Sequence, residues 1–243
     1  MRQMRLTHFA LDIIPGLVNF IFPSACPACN RLTDSLSHAP FCKQCWHSIG
    51  QYTGPACRIC GVHLVSVHAD RCQHCLEDPP AFTKAHSFAH YEGLIASAIH
   101  HFKFLGIRRL SRPLAEFLLF HDTEGIDAVV PVPLSPSSLK KRGFNQALLL
   151  SRHLSEEKKI PLLMDALKKI VDTPPQVGLS AKERAANVKK AFACTDKVSG
   201  MNVLLIDDVM TTGATVNSCS RQLLKAGAKS VSVLTLARAG IIC

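Results

Sequence analysis

Tyrosine and tryptophan are scarce in this sequence, although phenylalanine is not. The 243 residues include two Tyr and one Trp beside 12 Phe, so aromatic residues make up only 6% of the chain. Proteins that bind single-stranded nucleic acid without sequence preference usually stack bases on aromatic side chains. The composition alone therefore gives little support to that class of function.

The sequence also lacks an apolar run long enough to span a membrane near its N-terminus. Residues 1–25 begin with basic side chains and end in alanine, as a signal peptide does, but Asp12 and Pro15 interrupt the apolar stretch. A membrane-spanning helix needs about 20 consecutive apolar residues. We interpret this segment as a short amphipathic helix that packs on the rest of the protein, with attachment to a membrane surface as the alternative.

Cysteine, in contrast, is abundant and strongly patterned. Eight of the 11 cysteines form four Cys-x-x-Cys pairs, separated by 12, 11 and 11 residues. Two such pairs complete a tetrahedral zinc site, whereas disulfides would need an oxidising compartment, to which nothing else in the sequence points. We predict two structural Zn²⁺ ions, with sequential or interleaved pairing left open by the nearly equal spacings. The eight predicted ligands are Cys26, Cys29, Cys42, Cys45, Cys57, Cys60, Cys72 and Cys75.

A proline-rich break divides the chain in two. Asp78-Pro79-Pro80 predicts a boundary between residues 1–80, an N-terminal helix with the zinc-binding module, and a second domain of residues 81–243. Strand and helix patterns alternate in the second domain, which predicts an α/β fold with a parallel sheet. Strands are expected near 126–132, 201–206 and 230–237, and helices near 92–104, 110–120, 144–154 and 215–226.

The most specific pattern in the second domain is VLLIDDVMTTGAT. A buried strand, Val203–Ile206, leads into Asp207 and Asp208, and a turn of residues 211–215 then opens a helix. A helix N-terminus presents free N–H groups to an anion, and Gly213 permits close approach of the backbone. Carboxylates can accept hydrogen bonds from sugar hydroxyls or face Mg²⁺. The segment therefore predicts a site for a phosphorylated sugar.

Positive charge accompanies this pattern. Residues 81–243 hold 22 basic and 13 acidic side chains, an excess of nine in a chain whose net charge is +10. Lys140, Lys141 and Arg142 follow the strand near 126–132 on a predicted glycine-bearing loop, where they can bind a second phosphate group. The excess suits a sugar pyrophosphate or a nucleic acid, and a solvated basic surface is the alternative.

VLLIDDVMTTGAT resembles the phosphoribosyl pyrophosphate (PRPP) motif of type I phosphoribosyltransferases. Together with the cysteine pairs, the Asp-Pro-Pro linker, YEGLIASAIHHFK, KRGFNQA and TPPQVGLSAKERAANVKKAF, it resembles the ComF/ComFC family, called GntX in some bacteria. The resemblance implies a type I phosphoribosyltransferase-like parallel sheet with helices on both faces and a small N-terminal zinc-ribbon module. It implies that Asp207 and Asp208 hold the ribose hydroxyls or Mg²⁺, that Lys141 and Arg142 lie near the pyrophosphate, and that the 5′-phosphate is bound by Thr211, Thr212, Gly213, Ala214 and Thr215.

The resemblance also implies a biological setting. The family is linked to natural transformation, so PRPP with Mg²⁺ is the expected ligand, and single-stranded DNA and other DNA-uptake proteins are further candidate partners. A type I phosphoribosyltransferase is one reading, although no residue identifies the acceptor or a general base. A non-catalytic adaptor or single-stranded DNA-binding factor that keeps the PRPP-type pocket is the other. We expect a cytoplasmic location, free or peripheral at the inner membrane.

Overall fold

A four-stranded parallel sheet forms the centre of the protein in the computed structural model, which describes residues 24–34, 36–170 and 191–240. The sheet has the order β1-β6-β5-β2, and β3 and β4 form a separate antiparallel pair. The strands are β1 (Lys84–His90), β2 (Ala128–Pro131), β3 (Leu167–Lys169), β4 (Phe192–Cys194), β5 (Asn202–Met210) and β6 (Ser230–Arg238).

The helices lie on both faces of this sheet, as the sequence predicts. Helices α3, α4 and α6 share one apolar cluster with Leu204 and Ile206 of β5, while α7 shares the other with Val203 and Leu205. Because successive side chains of a strand point to opposite faces, a strand buried on both sides reads as an unbroken apolar run. The helices are α1 (Lys43–His47), α2 (Gln73–Glu77), α3 (Gly93–Lys103), α4 (Ser111–Glu116), α5 (Pro136–Arg142), α6 (Gln146–Lys158) and α7 (Ala214–Lys225).

Several predicted elements differ from the observed ones. The helix expected over 110–120 is shortened to α4 and follows a 3₁₀ turn at Arg108–Leu110. The prediction that Lys140, Lys141 and Arg142 lie on a loop is wrong, because these residues form the last turn of α5. Ser135 caps α5 by accepting a hydrogen bond from the N–H of Ser138 at 3.3 Å, and a proline at the first turn supports the helix further.

Two features of the sequence lie outside the described residues: the N-terminal segment 1–23 and residues 171–190, which include most of the TPPQ block. Within the residues that are described, no helix has the length and apolar content that crossing a membrane requires.

The eight paired cysteines form two clusters of four, and the pairing is sequential. Within each cluster the sulfur atoms all lie within 4.8 Å of one another. The Sγ atoms of Cys29 and Cys42 are 3.7 Å apart, and those of Cys60 and Cys72 are 3.6 Å apart. Four sulfurs at about 2.3 Å from a tetrahedral zinc ion would be separated by roughly 3.8 Å, so both clusters fit zinc. The first ribbon holds Cys26, Cys29, Cys42 and Cys45, and the second holds Cys57, Cys60, Cys72 and Cys75.

One thiol of each ribbon has a lowered pKa, whereas burial and the neighbouring cysteines raise the pKa of Cys45, Cys60 and Cys75. Burial opposes ionisation, but nearby backbone N–H groups outweigh it and lower the pKa of Cys26 to about 6 and that of Cys57 to about 7. The thiolate is the form that binds zinc, so a lowered pKa favours metal uptake near neutral pH.

The two ribbons pack on opposite faces of the sheet and cover its β1 edge. Cys26 and Cys42 belong to the apolar cluster of α3 and α4, whereas Cys57 and Cys72 belong to the cluster of α7. The backbone between them bonds to β1, as the N–H of Tyr52 donates to the carbonyl of Phe88 at 2.8 Å. An exposed strand edge invites unwanted pairing, so this covering protects the sheet.

The second ribbon approaches β1 closely enough to require a glycine. The N–H of Ala85 donates to the carbonyl of Ile59 at 2.7 Å. Gly61 has a φ of +67°, and a Cβ atom there would lie 2.8 Å from the carbonyl oxygen of Ala85. Both the positive φ and the backbone neighbour exclude a larger residue at this position.

We expect close to two zinc ions per chain by elemental analysis, and we expect their loss to destabilise the sheet as well as the ribbons. Cys72→Ser should lower the melting temperature by roughly 10–20 °C, because losing even about 5 kcal/mol of metal-linked stability has that effect in a chain of this size. Cys194→Ser is the matched control, since Cys194 lies outside both clusters.

Three results would contradict this expectation. Purified protein could contain iron or no metal, it could contain a single zinc ion, or Cys72→Ser could melt at the temperature of the Cys194→Ser control. The melting curve should also show one transition rather than two, because each ribbon shares an apolar cluster with the sheet.

Candidate functional site

The acidic pair lies near the carboxyl end of β5, at the edge where the parallel strands of the sheet end. We call this side of the sheet the carboxyl edge. Asp207 is half-buried and Asp208 is buried, with 4% of its surface exposed. Ligands of open α/β sheets bind outside this edge, so the strand delivers both carboxylates to the expected place.

Asp208 forms an ion pair with a residue distant in sequence. The ammonium of Lys103, the last residue of α3, lies 2.8 Å from Oδ2 and 3.0 Å from Oδ1 of Asp208. The Lys103 side chain is 21% exposed, so water screens the pair only in part. A carboxylate this buried needs such a partner, because an isolated buried charge is strongly disfavoured.

Asp207 has a different electrostatic environment. Burial and the neighbouring charge of Asp208 raise the pKa of Asp207 to about 7, while the ammonium of Lys103 opposes that rise. Its Oδ1 accepts a hydrogen bond from the N–H of Asp208 at 2.9 Å. Two adjacent carboxylates and one ammonium thus share this site, and a bound cation or sugar hydroxyls would favour full ionisation of Asp207.

Residues 211–215, the threonine turn, connect β5 to α7. Thr211, Thr212 and Thr215 are exposed, so their hydroxyls are available to a ligand. Gly213 precedes α7 with a φ of +80°, and a Cβ atom there would lie 2.7 Å from Cε of Met210. The first N–H groups of α7, from Ala214 onward, face this turn, as helix geometry requires. The turn can therefore hold an anion as the sequence predicts.

A buried arginine fixes the start of the threonine turn. Arg238, at the end of β6, is 5% exposed and donates from Nη1 to the carbonyl oxygens of Met210 at 3.0 Å and Ala239 at 3.1 Å. It thereby links the end of β5 to the residue that follows β6. Arg238 could not be predicted as a site residue, because nothing in the sequence distinguishes it locally from a surface arginine that follows a strand.

The second ribbon also reaches the carboxyl edge, through His63. The rings of Tyr52 and His63 stack at 3.5 Å, and the ring of His63 meets that of His90, the last residue of β1, at 3.8 Å. Burial, with electrostatic interactions with the imidazole of His90 and the guanidinium of Arg238, lowers the pKa of His63 to about 4. His63 is thus neutral at physiological pH, and it is buried, with 4% of its surface exposed.

The two predicted basic residues occupy different environments. Lys141 is exposed, whereas Arg142 is half-buried and donates from Nη1 to Oε1 of Gln146 at 3.3 Å. The guanidinium of Arg142 also lies 5.5 Å from the ring centre of Phe104, the residue after Lys103. Helices α3 and α5 therefore meet at their basic C-terminal ends, beside the acidic pair.

Comparisons with known families match both parts of the chain. Residues 17–76 match the double zinc ribbon domain. Residues 103–241, more than half of the chain, match the phosphoribosyl transferase domain. The first match covers all eight cysteines of the two clusters, and the second covers Lys103, the acidic pair and the threonine turn.

Individual relatives align over most of their length. Competence protein F of Haemophilus influenzae is 36% identical over 209 residues, covering 82% of this chain and 90% of that protein. DNA utilization protein YhgH of Escherichia coli K12 is 32% identical, covering 89% of this chain and 97% of that protein. Competence protein ComFC of Bacillus subtilis is 30% identical, covering 81% and 83%. With both domains matched in order along its length, the chain belongs to the ComF/ComFC family of competence proteins.

Proposed function

We propose that this chain binds PRPP with Mg²⁺ at the carboxyl edge and acts in the handling of DNA taken up during natural transformation. The observation that carries the proposal is the arrangement of Asp207, Asp208 and Lys103 beside the threonine turn and the N-terminus of α7. Relatives named for competence and DNA utilization support the second half of the proposal.

Each part of PRPP has a complementary group in this arrangement. The 5′-phosphate suits the threonine turn, which offers backbone N–H groups, hydroxyls and a helix N-terminus. The ribose hydroxyls suit Asp207 and Asp208, which can accept hydrogen bonds from them. The pyrophosphate suits the basic C-terminal ends of two helices, α3 with Lys103 and α5 with Lys141 and Arg142.

The oxygen atoms at this site fit Mg²⁺ as a partner of PRPP. Mg²⁺ is commonly bound by one or two carboxylates together with phosphate oxygens of the substrate and water. Asp207 and Asp208 provide carboxylates, and no cysteine of the two clusters is needed here. When bound, Mg²⁺ would neutralise part of the pyrophosphate charge, which is its usual contribution to phosphate chemistry.

Lys103 holds the site ready for such a ligand. In the free protein its ammonium balances Asp208 at 2.8 Å. Sugar hydroxyls or Mg²⁺ at Asp208 would release part of this attraction, and the ammonium can then turn to phosphate oxygens. The exchange keeps every buried charge paired, which limits the cost of replacing one partner by another.

A transferase and an adaptor would use this pocket differently. A phosphoribosyltransferase would displace pyrophosphate from C1 of the ribose through a positively charged transition state, stabilised by positioning and electrostatics. An adaptor would bind PRPP without turnover. Release of pyrophosphate from PRPP, measured across a panel of nucleobases, separates the two, since only the transferase produces it.

The PRPP proposal predicts stabilisation by ligand. PRPP with Mg²⁺ should raise the melting temperature of the wild type, because a ligand at 100 times its Kd stabilises a protein by about 2.7 kcal/mol. Asp207→Ala/Asp208→Ala should abolish this shift. Each variant is compared with its own ligand-free melting temperature, since the double substitution also leaves Lys103 without its partner.

Asp165→Ala is the control for this experiment, because Asp165 is an exposed carboxylate outside the threonine turn. It should keep the full ligand shift. Equal PRPP affinity of the wild type and the double variant in titration calorimetry would place the ligand elsewhere. A wild type that does not respond to PRPP at all would contradict PRPP binding, and with it both the transferase and the PRPP-binding adaptor.

The charge balance favours a second function, the binding of single-stranded DNA. Residues 81–243 carry an excess of nine positive charges. The last turns of α3 and α5 both contain basic residues. We expect weak binding without sequence preference, with an affinity that falls with salt by a slope of about 0.7 for each neutralised phosphate. Fluorescence anisotropy with two unrelated oligonucleotides measures this, and salt-independent binding or none at low salt would contradict it.

A further inference from the structure

Phe104 is a large apolar side chain that the core does not use. It follows Lys103 at the end of α3, and 59% of its surface is exposed. The apolar face of α3 is complete without it, because Ile95, Ile99 and Phe102 are buried. The N–H of Phe104 donates to the carbonyl of His100 at 2.8 Å, which fixes the backbone beneath the ring.

Cationic side chains surround this exposed ring. The guanidinium carbon of Arg142 lies 5.5 Å and the ammonium of Lys103 lies 6.0 Å from its centre. The imidazole of His100 lies 5.1 Å away, tilted by 42°. Both charged groups fall within the range of a cation–π contact, about 6 Å. The surface thus combines an aromatic ring with the guanidinium of Arg142 from α5, and with an ammonium from α3 that Asp208 neutralises.

Neighbouring contacts hold these helices together. Arg108 donates from Nη2 to the carbonyl of Gly143 at 2.9 Å, and its guanidinium lies 4.9 Å from the ring centre of Phe144. Gly143 directly follows α5, so this contact ties the segment after Phe104 to the end of the helix that carries Arg142. The contacts of Arg108 with Gly143 and Phe144 therefore help to fix the position of Phe104 relative to Arg142.

The combination fits one class of ligand better than others. A nucleotide unit offers a flat base that stacks on an aromatic ring and a phosphate that pairs with a cation. An apolar protein surface would have to bury Arg142 and Lys103, since the centres of protein interfaces are depleted of charge. An acidic peptide would pair with the cations and leave the ring without a stacking partner.

We propose that Phe104, with Arg142 and Lys103, forms a stacking platform for a base of single-stranded DNA, directly beside the pocket of Asp208. The proposal rests on the DNA-binding function proposed above and assigns a residue to it. The platform supplies the aromatic component that the composition of the chain does not predict.

Phe104→Ala tests the platform against a matched control. It should weaken the binding of a single-stranded oligonucleotide roughly tenfold, because base stacking on one aromatic side chain has an effect of that order. Phe120→Ala should bind like the wild type. Phe120 is 78% exposed, and among the described residues no cationic group is found over its ring.

Salt dependence separates stacking from charge. Phe104→Ala removes no charge, so its affinity should fall at every salt concentration with an unchanged slope. Arg142→Gln removes one cation, so its slope should decrease by about 0.7 if that cation pairs with a phosphate. A changed slope for Phe104→Ala would show a disturbed electrostatic surface instead of a lost stacking partner, and would overturn the assignment.

Phe104→Trp provides a direct optical signal. Trp46 is the only native tryptophan and is 3% exposed, so an added exposed indole dominates any change on ligand binding. An oligonucleotide stacked on residue 104 should quench this fluorescence and bind about as tightly as to the wild type. Quenching by a free mononucleotide at the same nucleotide concentration would overturn the choice of a DNA strand as ligand.

The outcomes distinguish the platform from the functions on which it rests. Equal affinity of the wild type and Phe104→Ala for the oligonucleotide would refute the platform but would leave the proposed DNA binding in place. A wild type that binds no single-stranded DNA at low salt would refute both. The melting shift with PRPP and Mg²⁺ should persist in Phe104→Ala, because Phe104 lies outside the threonine turn and the acidic pair.

Discussion

Burial of both faces of β5 is the constraint on which the rest of the structure depends. Four consecutive apolar residues, Val203–Ile206, alternate between two apolar clusters, so helices must cover the sheet on each side. The strand then continues beyond its apolar run and carries Asp207 and Asp208 to the carboxyl edge. A single strand thus fixes the layers of the fold and the position of its acidic pair.

The zinc ribbons extend this arrangement to the edge of the sheet. One ribbon joins each apolar cluster, and the backbone between them bonds to β1. At the carboxyl edge, His63 of the second ribbon stacks on Tyr52, which lies between the ribbons, and contacts His90 of β1. We therefore expect metal binding to stabilise more than a small appended module, because all of the ligands except Cys29 pack in the same apolar clusters as the strands.

The sequence could predict what is local and periodic. The turn after β5, the cysteine pairs and the alternation of strands and helices are all encoded within short windows, and these predictions agree with the structure. The sulfur pairing could not be predicted, because the spacings are nearly equal. The Lys103–Asp208 pair spans 105 residues, and the cations around Phe104 come from two helices, so only the folded chain brings them together.

Lys103 and Phe104 are consecutive, yet they serve different surfaces at the end of α3. The ammonium of Lys103 lies within 3.0 Å of both carboxylate oxygens of Asp208 and also 6.0 Å from the ring of Phe104. While Asp208 neutralises it, this ammonium adds little positive potential above the ring. A sugar phosphate bound at Asp208 would draw Lys103 to its own phosphate oxygens, so occupation of the sugar-phosphate pocket would weaken the attraction of Phe104's surface for a second phosphate. By thermodynamic linkage, a strand bound there would disfavour the pocket's ligand to the same degree.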